Sequence, residues 1–287
     1  MDALESLLVR LEALVARAET LLPAPAAPPD WSAVAHRWRG RLDPVRHPHK
    51  IRLADLKGID AQKAAIERNT RQFVAGRPAN NVLLTGARGT GKSSLVKGVL
   101  DKFARRGLRL IEVDRDDLVD LPAIVDLVAG RPERFVVFCD DLSFEAGEPG
   151  YQALKSALDG SIAGAPDNLL IYATSNRRHL MPERMAENLE ATRGDDGEIH
   201  PGETSEEKIS LSERFGLWLS FYPFDQERYL DICIHWLRRF GVDAQSALAG
   251  RPHWRQEALQ WALQRGSRSG RVAWQFARDY AGRRSAK

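Results

Sequence analysis

The chain has 287 residues, enough for about two domains. Hydrophobic residues make up 43% and charged residues 28%, proportions that exclude wholesale disorder and a coiled rod, and a net charge of +3 is too small to argue for a nucleic-acid partner. No apolar run approaches the roughly 20 residues of a membrane span, and the amino terminus MDALESLLVRLEALVARAETLL is charged throughout, so neither membrane insertion nor a secretory signal is expected and a cytoplasmic location is.

In the first segment Leu4, Leu7, Leu8, Leu11, Leu14, Val15, Ala18 and Leu22 recur at helical spacing, which predicts an amphipathic helix over 2–22 that seeks a partner surface. LPAPAAPPD then ends it, four prolines in nine residues making a stiff, extended connector. No internal repeat is evident. Residues 37–52 follow with Arg37, Arg39, Arg41, Arg46, Lys50 and Arg52 against the single acid Asp43. Two readings stay open for this basic stretch. Its arginines contact nucleic-acid phosphates with Trp38 stacking on bases, or Trp31 and Trp38 dock it on the core while the arginines stay solvated. His47 and His49 lie here without further nearby ligands, a poor metal site. Cys139 and Cys233 sit in apolar segments without metal-ligand spacing and read as small core residues.

From about residue 50 short apolar runs alternate with longer helical patterns. NVLLT (81–85), LRLIEV (108–113), RFVVFCD (134–140), LLIYAT (169–174) and LWLSF (217–221) read as buried strands. Helical patterns occupy 92–106, 118–129 and 150–163. The alternation predicts an α/β fold with a five-stranded parallel sheet and helices on both faces. After residue 225 only helical patterns remain, over 225–240, about 243–250 and 254–283 with a break at RGSRSG, which predicts a small all-helical C-terminal domain. The expected division is therefore an N-terminal helix and linker (1–47), an α/β core (48–224) and a helical lid (225–287). The acidic run 194–207, six acids without a lysine or arginine, reads as a solvated connector.

Gly86-Ala87-Arg88-Gly89-Thr90-Gly91-Lys92-Ser93, with Ser94 next, fits the phosphate-loop pattern G-x-x-x-x-G-K-[ST] between a strand and a helix. Glycines let successive backbone N–H groups converge on phosphate oxygens, and the helix that starts near Lys92 adds its positive end. Lys92 would reach the β and γ phosphates of ATP, and Ser93 would ligate Mg²⁺. In FVVFCDDLSF an apolar strand runs up to two acids, and a carboxylate at that strand edge is where the magnesium shell needs one. Asp140 takes that role, and Asp141 would polarise the attacking water.

With these motifs the sequence resembles an AAA+ ATPase, and more narrowly a bacterial family of predicted AAA-type ATPases of unassigned role, over about residues 48–287. IRLADLKGIDAQKAAIERNTRQFVAGRPANNVLLTG is similar to the segment bordering the adenine in that superfamily. The resemblance implies a polar sensor near the γ phosphate at the end of the fourth strand, where IYATSNRR offers Asn176, with Ser175 as competitor. It implies an arginine finger reaching into a neighbouring subunit's nucleotide, for which SLSERFGLWLSF offers Arg214, and so a homo-oligomeric ring or filament. A surface salt bridge is the alternative role for Arg214. It also implies a second sensor arginine at the start of the last helix, Arg271 or Arg268 in RGSRSGRVAWQF. Many superfamily members carry Asp-Glu where this chain has Asp140-Asp141, and the shorter second side chain leads to an expectation of slow, switch-like hydrolysis. The client is not written in the sequence. The segment after the second strand, DRDDLVDLP, lacks the aromatic with which protein-threading members grip a polypeptide. A remodeller or loader of a macromolecular partner, a DNA-associated initiator-like ATPase and a non-hydrolysing nucleotide switch all remain in play.

Overall fold

Alternation within the apolar runs decides the architecture. Along RFVVFC, Phe135, Val137 and Cys139 face one buried cluster while Val136 and Phe138 face another, so the strand is covered on both sides. The computed structural model describes residues 3–21, 28–144, 148–159, 166–176, 192–193, 199–200, 211–242 and 253–285. It divides into two units, Met1–Asp30 and Trp31–Lys287. The first holds a single helix, α1 (Ala3–Leu21).

The second unit is built on a seven-stranded sheet. Its strands are β1 (Ala35–Trp38), β2 (Leu42–Pro44), β3 (Val82–Gly86), β4 (Leu108–Glu112), β5 (Arg134–Cys139), β6 (Leu169–Ser175) and, after a separate two-stranded ribbon of β7 (Thr192–Arg193) and β8 (Ile199–His200), β9 (Leu217–Phe221). The order across the sheet is β2-β1-β4-β5-β6-β3-β9, and every pairing is parallel except β1 with β2. The five expected strands all form. Two more correct the expected count: residues 35–44, assigned from sequence to a linker, fold into a hairpin that extends the sheet beside β4. Its inward residues Ala35, Trp38 and Leu42 are buried, and Arg37 bonds Glu112 on β4 at 2.6 Å. The Trp38 indole donates to Asp120 at 2.9 Å, while Trp31 packs edge-on against Phe135 and beneath the Arg131 guanidinium. Docking of both tryptophans is thus the reading that holds, and neither ring is presented for base stacking.

Helices α2 (Asp60–Val74) and α3 (Lys92–Phe103) cover one face of the sheet, and α4 (Leu121–Val128) and α5 (Pro149–Asp159) cover the other. A polar tie anchors α2 to the sheet: the buried Tyr172 hydroxyl meets Thr70 at 2.8 Å and Asn69 at 3.2 Å. Three helices close the chain, α6 (Gln226–Arg239), α7 (His253–Gln264) and α8 (Gly270–Ser285), joined to the α2–α3 side by one continuous apolar cluster. Asp225 caps α6 by accepting from the Arg228 amide at 2.8 Å. The helix expected over 243–250, the end of the one expected over 150–163 and all but His200 and Ile199 of the acidic run lie outside the described residues.

β3 delivers its last residue into a space that only glycine fits. Gly86 has φ +125°, and a Cβ there would stand 1.9 Å from the Phe221 carbonyl oxygen on β9. Gly86→Ala is expected to cost about 3 kcal/mol, lowering the thermal unfolding midpoint by several degrees in calorimetry.

Candidate functional site

The parallel sheet places the C-terminal ends of β3, β5 and β6 side by side, and the loops leaving them meet at one cleft of about 880 Å³. From β3 comes the glycine loop. Gly89 (φ +76°) and Gly91 (φ +104°) take backbone conformations that L side chains rarely adopt, and α3 starts directly afterwards with Lys92 in its first turn. A Cβ on Gly89 would sit 2.7 Å from the Ser269 hydroxyl, so the lid rests on the loop, and the Arg271 amide donates to the Gly89 carbonyl at 3.3 Å.

Lys92 is 6% exposed and donates to the carbonyls of Gly86 (2.7 Å) and Ala87 (2.9 Å) and to the Asn176 amide oxygen (3.0 Å). Burial pulls its pKa below the usual lysine value, against the pull of Asp141 and Asp140, while Arg88 and Arg271 lower it further. From β5 come the two acids. The Ser93 hydroxyl and the Thr174 hydroxyl each reach Asp140 Oδ1 at 2.6 Å. Asp141 takes the left-handed conformation (φ 54°), and its amide donates to Thr174 Oγ1 at 2.9 Å. Its carboxylate accepts from Asn176 and lies 3.9 Å from the Arg88 guanidinium. From β6 come Thr174 and Asn176; Ser175, the competing sensor, is fully buried.

Lys92, Ser93, Asp140, Asp141 and Asn176 are thus brought together by three separate loops. Asp140 and Ser93 present hard oxygen donors side by side at the mouth of the glycine cradle, a donor set that suits Mg²⁺. Among the described residues no group of three or more His, Cys, Asp or Glu could hold a metal by itself.

Residues 31–284 match the family described as a protein of unknown function, DUF815. The chain belongs to the DUF815 family. No curated protein matches its sequence. Among solved structures, the Aeropyrum pernix Orc1 protein in complex with DNA matches at a TM-score of 0.51 and 16% identity over 80% of this chain and 61% of that one. A single-residue variant of Thermotoga maritima RuvB matches at 0.50 and 15% over 79% and 63%. The DUF815 chain therefore spans less than two thirds of each of these proteins. The likeness establishes the fold shared with these two proteins, a parallel sheet with a helical C-terminal part.

In this DUF815 chain Arg271 lines the cleft, as do Arg88, Gly89, Thr90, Gly91 and Ser94, whereas Arg268 is exposed outside it. Arg214 lies apart from the cleft, its guanidinium bonded to Asp159 at the end of α5. Sequence reasoning missed Thr174, the hydroxyl that ties the two acids together; its only signal is a polar residue inside the apolar run of β6. It also missed the far wall, where Ile232 and Trp236 of α6 and Trp274 of α8 face Ile51 and Ile59.

The rim of the cleft also carries an ion cluster. Asp55 meets Arg52 (3.3 Å), His235 (3.2 Å) and Arg239 (3.6 Å), joining the segment before α2 to α6. Burial, helped by Lys57, pulls the His235 pKa below 6.5, with Asp55 opposing. Folding therefore favours neutral His235. Its contribution is complete above the unfolded value of 6.5 and is lost as pH falls through that value toward the lower folded one. Thermal melts from pH 7.5 to 5 are expected to show this loss, and His235→Gln to flatten that part of the profile.

Proposed function

We propose that this protein binds ATP with magnesium in the cleft and hydrolyses it, using the energy to remodel or load a macromolecular client. The observation that carries the reading is the meeting of Ser93 and Asp140 at 2.6 Å beside the glycine loop, from residues 47 positions apart. Such a junction has no packing purpose on an exposed edge, and it is the arrangement that divalent-metal phosphate chemistry requires. The amides of residues 87–93 would hold the β and γ phosphates. Lys92, whose Nζ donates to loop carbonyls, would turn to the phosphate oxygens and recover the charge interaction that burial denies it. Bound magnesium would neutralise charge developing on the γ phosphate.

Asp141 would orient and polarise the attacking water, with Asn176 bridging it to Lys92. Asn176 thereby stands where loss of the γ phosphate changes both of its bonds. Ile51, Ile59, Ile232, Trp236 and Trp274 supply an apolar, aromatic wall suited to a purine ring. Arg271, from the first turn of α8, would contact the phosphates and couple lid position to the nucleotide. Arg214 would act in trans, exchanging Asp159 for the phosphate of a neighbouring copy, which implies a homo-oligomer. The short side chain of Asp141, one methylene less than glutamate, supports slow, switch-like turnover. The burial of Trp38 and the packing of half-buried Trp31 against Phe135 and Arg131 weigh against a nucleic-acid reading that would stack bases on these rings.

Asp141→Asn is the test. It is expected to retain ATP affinity, to cut phosphate release by about 10²-fold or more, and to hold the client in a pull-down carried out with and without nuclease. Hydrolysis at the wild-type rate would remove Asp141 from its role.

A further inference from the structure

Helix α1 carries a period shorter than any supersecondary repeat. Residues 4–10 read LESLLVR, 11–17 read LEALVAR and 18–22 read AETLL. Spaced seven apart, Leu4, Leu11 and Ala18 alternate with Leu7, Leu14 and Leu21, the a and d positions of three heptads. Leu8 and Val15 widen the stripe on one side. Nothing within the Met1–Asp30 unit covers the middle of the stripe: Leu7 is 63% exposed, Leu11 57% and Leu14 65%. Apolar side chains exposed in line over two turns of a helix mark an interaction surface.

The charges that flank the stripe say what covers it. Going round the helix, the apolar positions d, a and e are contiguous. Position g borders d, and position b borders e. Arg10 and Arg17 occupy g; Glu5, Glu12 and Glu19 occupy b. When two copies lie parallel, related by an axis along the helices, the g edge of each faces the e and b edge of the other, so arginine meets glutamate along both sides of the seam. When they lie antiparallel like edges meet, arginine against arginine and glutamate against glutamate. Such exposed pairs add little affinity, but they decide orientation and register.

We infer that α1 is a self-association helix, pairing in parallel and in register with α1 of a second copy of this chain. Three heptads make a short seam, so the association is expected to depend on concentration. The pairing brings two copies together by their amino-terminal segments and does not require nucleotide.

Site-directed cross-linking in the full chain tests this. With one cysteine placed at d, Leu7→Cys, parallel pairing sets the two thiols opposite one another. Antiparallel pairing places each opposite residue 18 or so, about 16 Å away along the axis at 1.5 Å per residue. The native Cys139 and Cys233 are buried and stay out of the reaction. Under mild oxidation Leu7→Cys is expected to give disulfide-linked dimer at least tenfold faster than Ala13→Cys on the outer side of the helix, with or without ATP. Sedimentation of the wild type is expected to show dimer that is lost in the Leu11→Asp, Leu14→Asp double variant. Equal rates at positions 7 and 13, or a wild type that sediments as monomer across the concentration range, would overturn the inference. Phosphate release measured on the same samples keeps this outcome separate from the ATPase reading.

Discussion

Replacing Lys92 by alanine is expected to weaken ATP binding by at least about 100-fold and to reduce phosphate release to background. The magnitude follows from the loss of one charge-assisted contact to the β and γ phosphates inside a site with little water, about 2–3 kcal/mol. A general loss of structure would give the same kinetics for a different reason, and here the two separate. Lys92 is buried, with its charge disfavoured by burial, and its Nζ donates to the Gly86 and Ala87 carbonyls and to the Asn176 amide oxygen. Removing the side chain relieves that burial while forfeiting those bonds, so the thermal midpoint should move by only a few degrees. Binding measured by isothermal titration calorimetry, paired with a melt, checks both halves. An alanine variant that keeps its affinity would mean that the loop serves another purpose.

Arg214→Ala is expected to lower kcat by about 10³-fold or more while leaving ATP affinity nearly unchanged. The split arises because a finger from a neighbouring copy touches charge that develops in the transition state and adds little to ground-state binding. In this chain the guanidinium is engaged by Asp159, away from its own cleft, so a purely structural role for Arg214 is the competing account. Mixing distinguishes them. Arg214→Ala subunits keep an intact phosphate loop, and Lys92→Ala subunits keep the finger; combined, they should recover activity that neither has alone. Under the structural account the mixture recovers nothing and Asp159→Ala reproduces the Arg214→Ala loss.

What the sequence made legible follows physical lines. Strands β3, β5 and β6 are buried on both faces, and that burial writes itself as uninterrupted apolar runs such as LLIYATS, all seven of whose residues are buried, whereas β9, read from sequence as buried, lies at the sheet edge with Trp218 and Ser220 exposed. The glycine loop was legible because its backbone conformations demand glycine at 86, 89 and 91, and Ser93 and Asp140 stood out because one ends the glycine pattern and the other ends an apolar strand. The β1–β2 hairpin was not. Its strands are four and three residues long, and they interleave arginines with inward-facing Ala35, Trp38 and Leu42, so its charge reads as a solvated linker until Glu112 is placed beside Arg37. Thr174 was hidden for a related reason. A hydroxyl that joins two acids 33 and 34 positions away has no local signature. A helix boundary separates Arg271 from Arg268: α8 begins at Gly270, which puts Arg271 in its first turn and Arg268 before it. Trp236 and Trp274 come from different helices, and only the packing of α6 against α8 makes them one wall.

The account rests on the loop at 86–93 gripping a triphosphate beside Asp140. A crystal structure of the protein grown with magnesium and a non-hydrolysable ATP analogue tests it most directly. The expected result is a triphosphate within hydrogen-bonding distance of the loop amides, Lys92 turned from the carbonyls onto its oxygens, and a magnesium ion next to Ser93 and Asp140. A nucleotide bound elsewhere, or a loop that stays empty at saturating analogue with Lys92 still on Gly86 and Ala87, would contradict it.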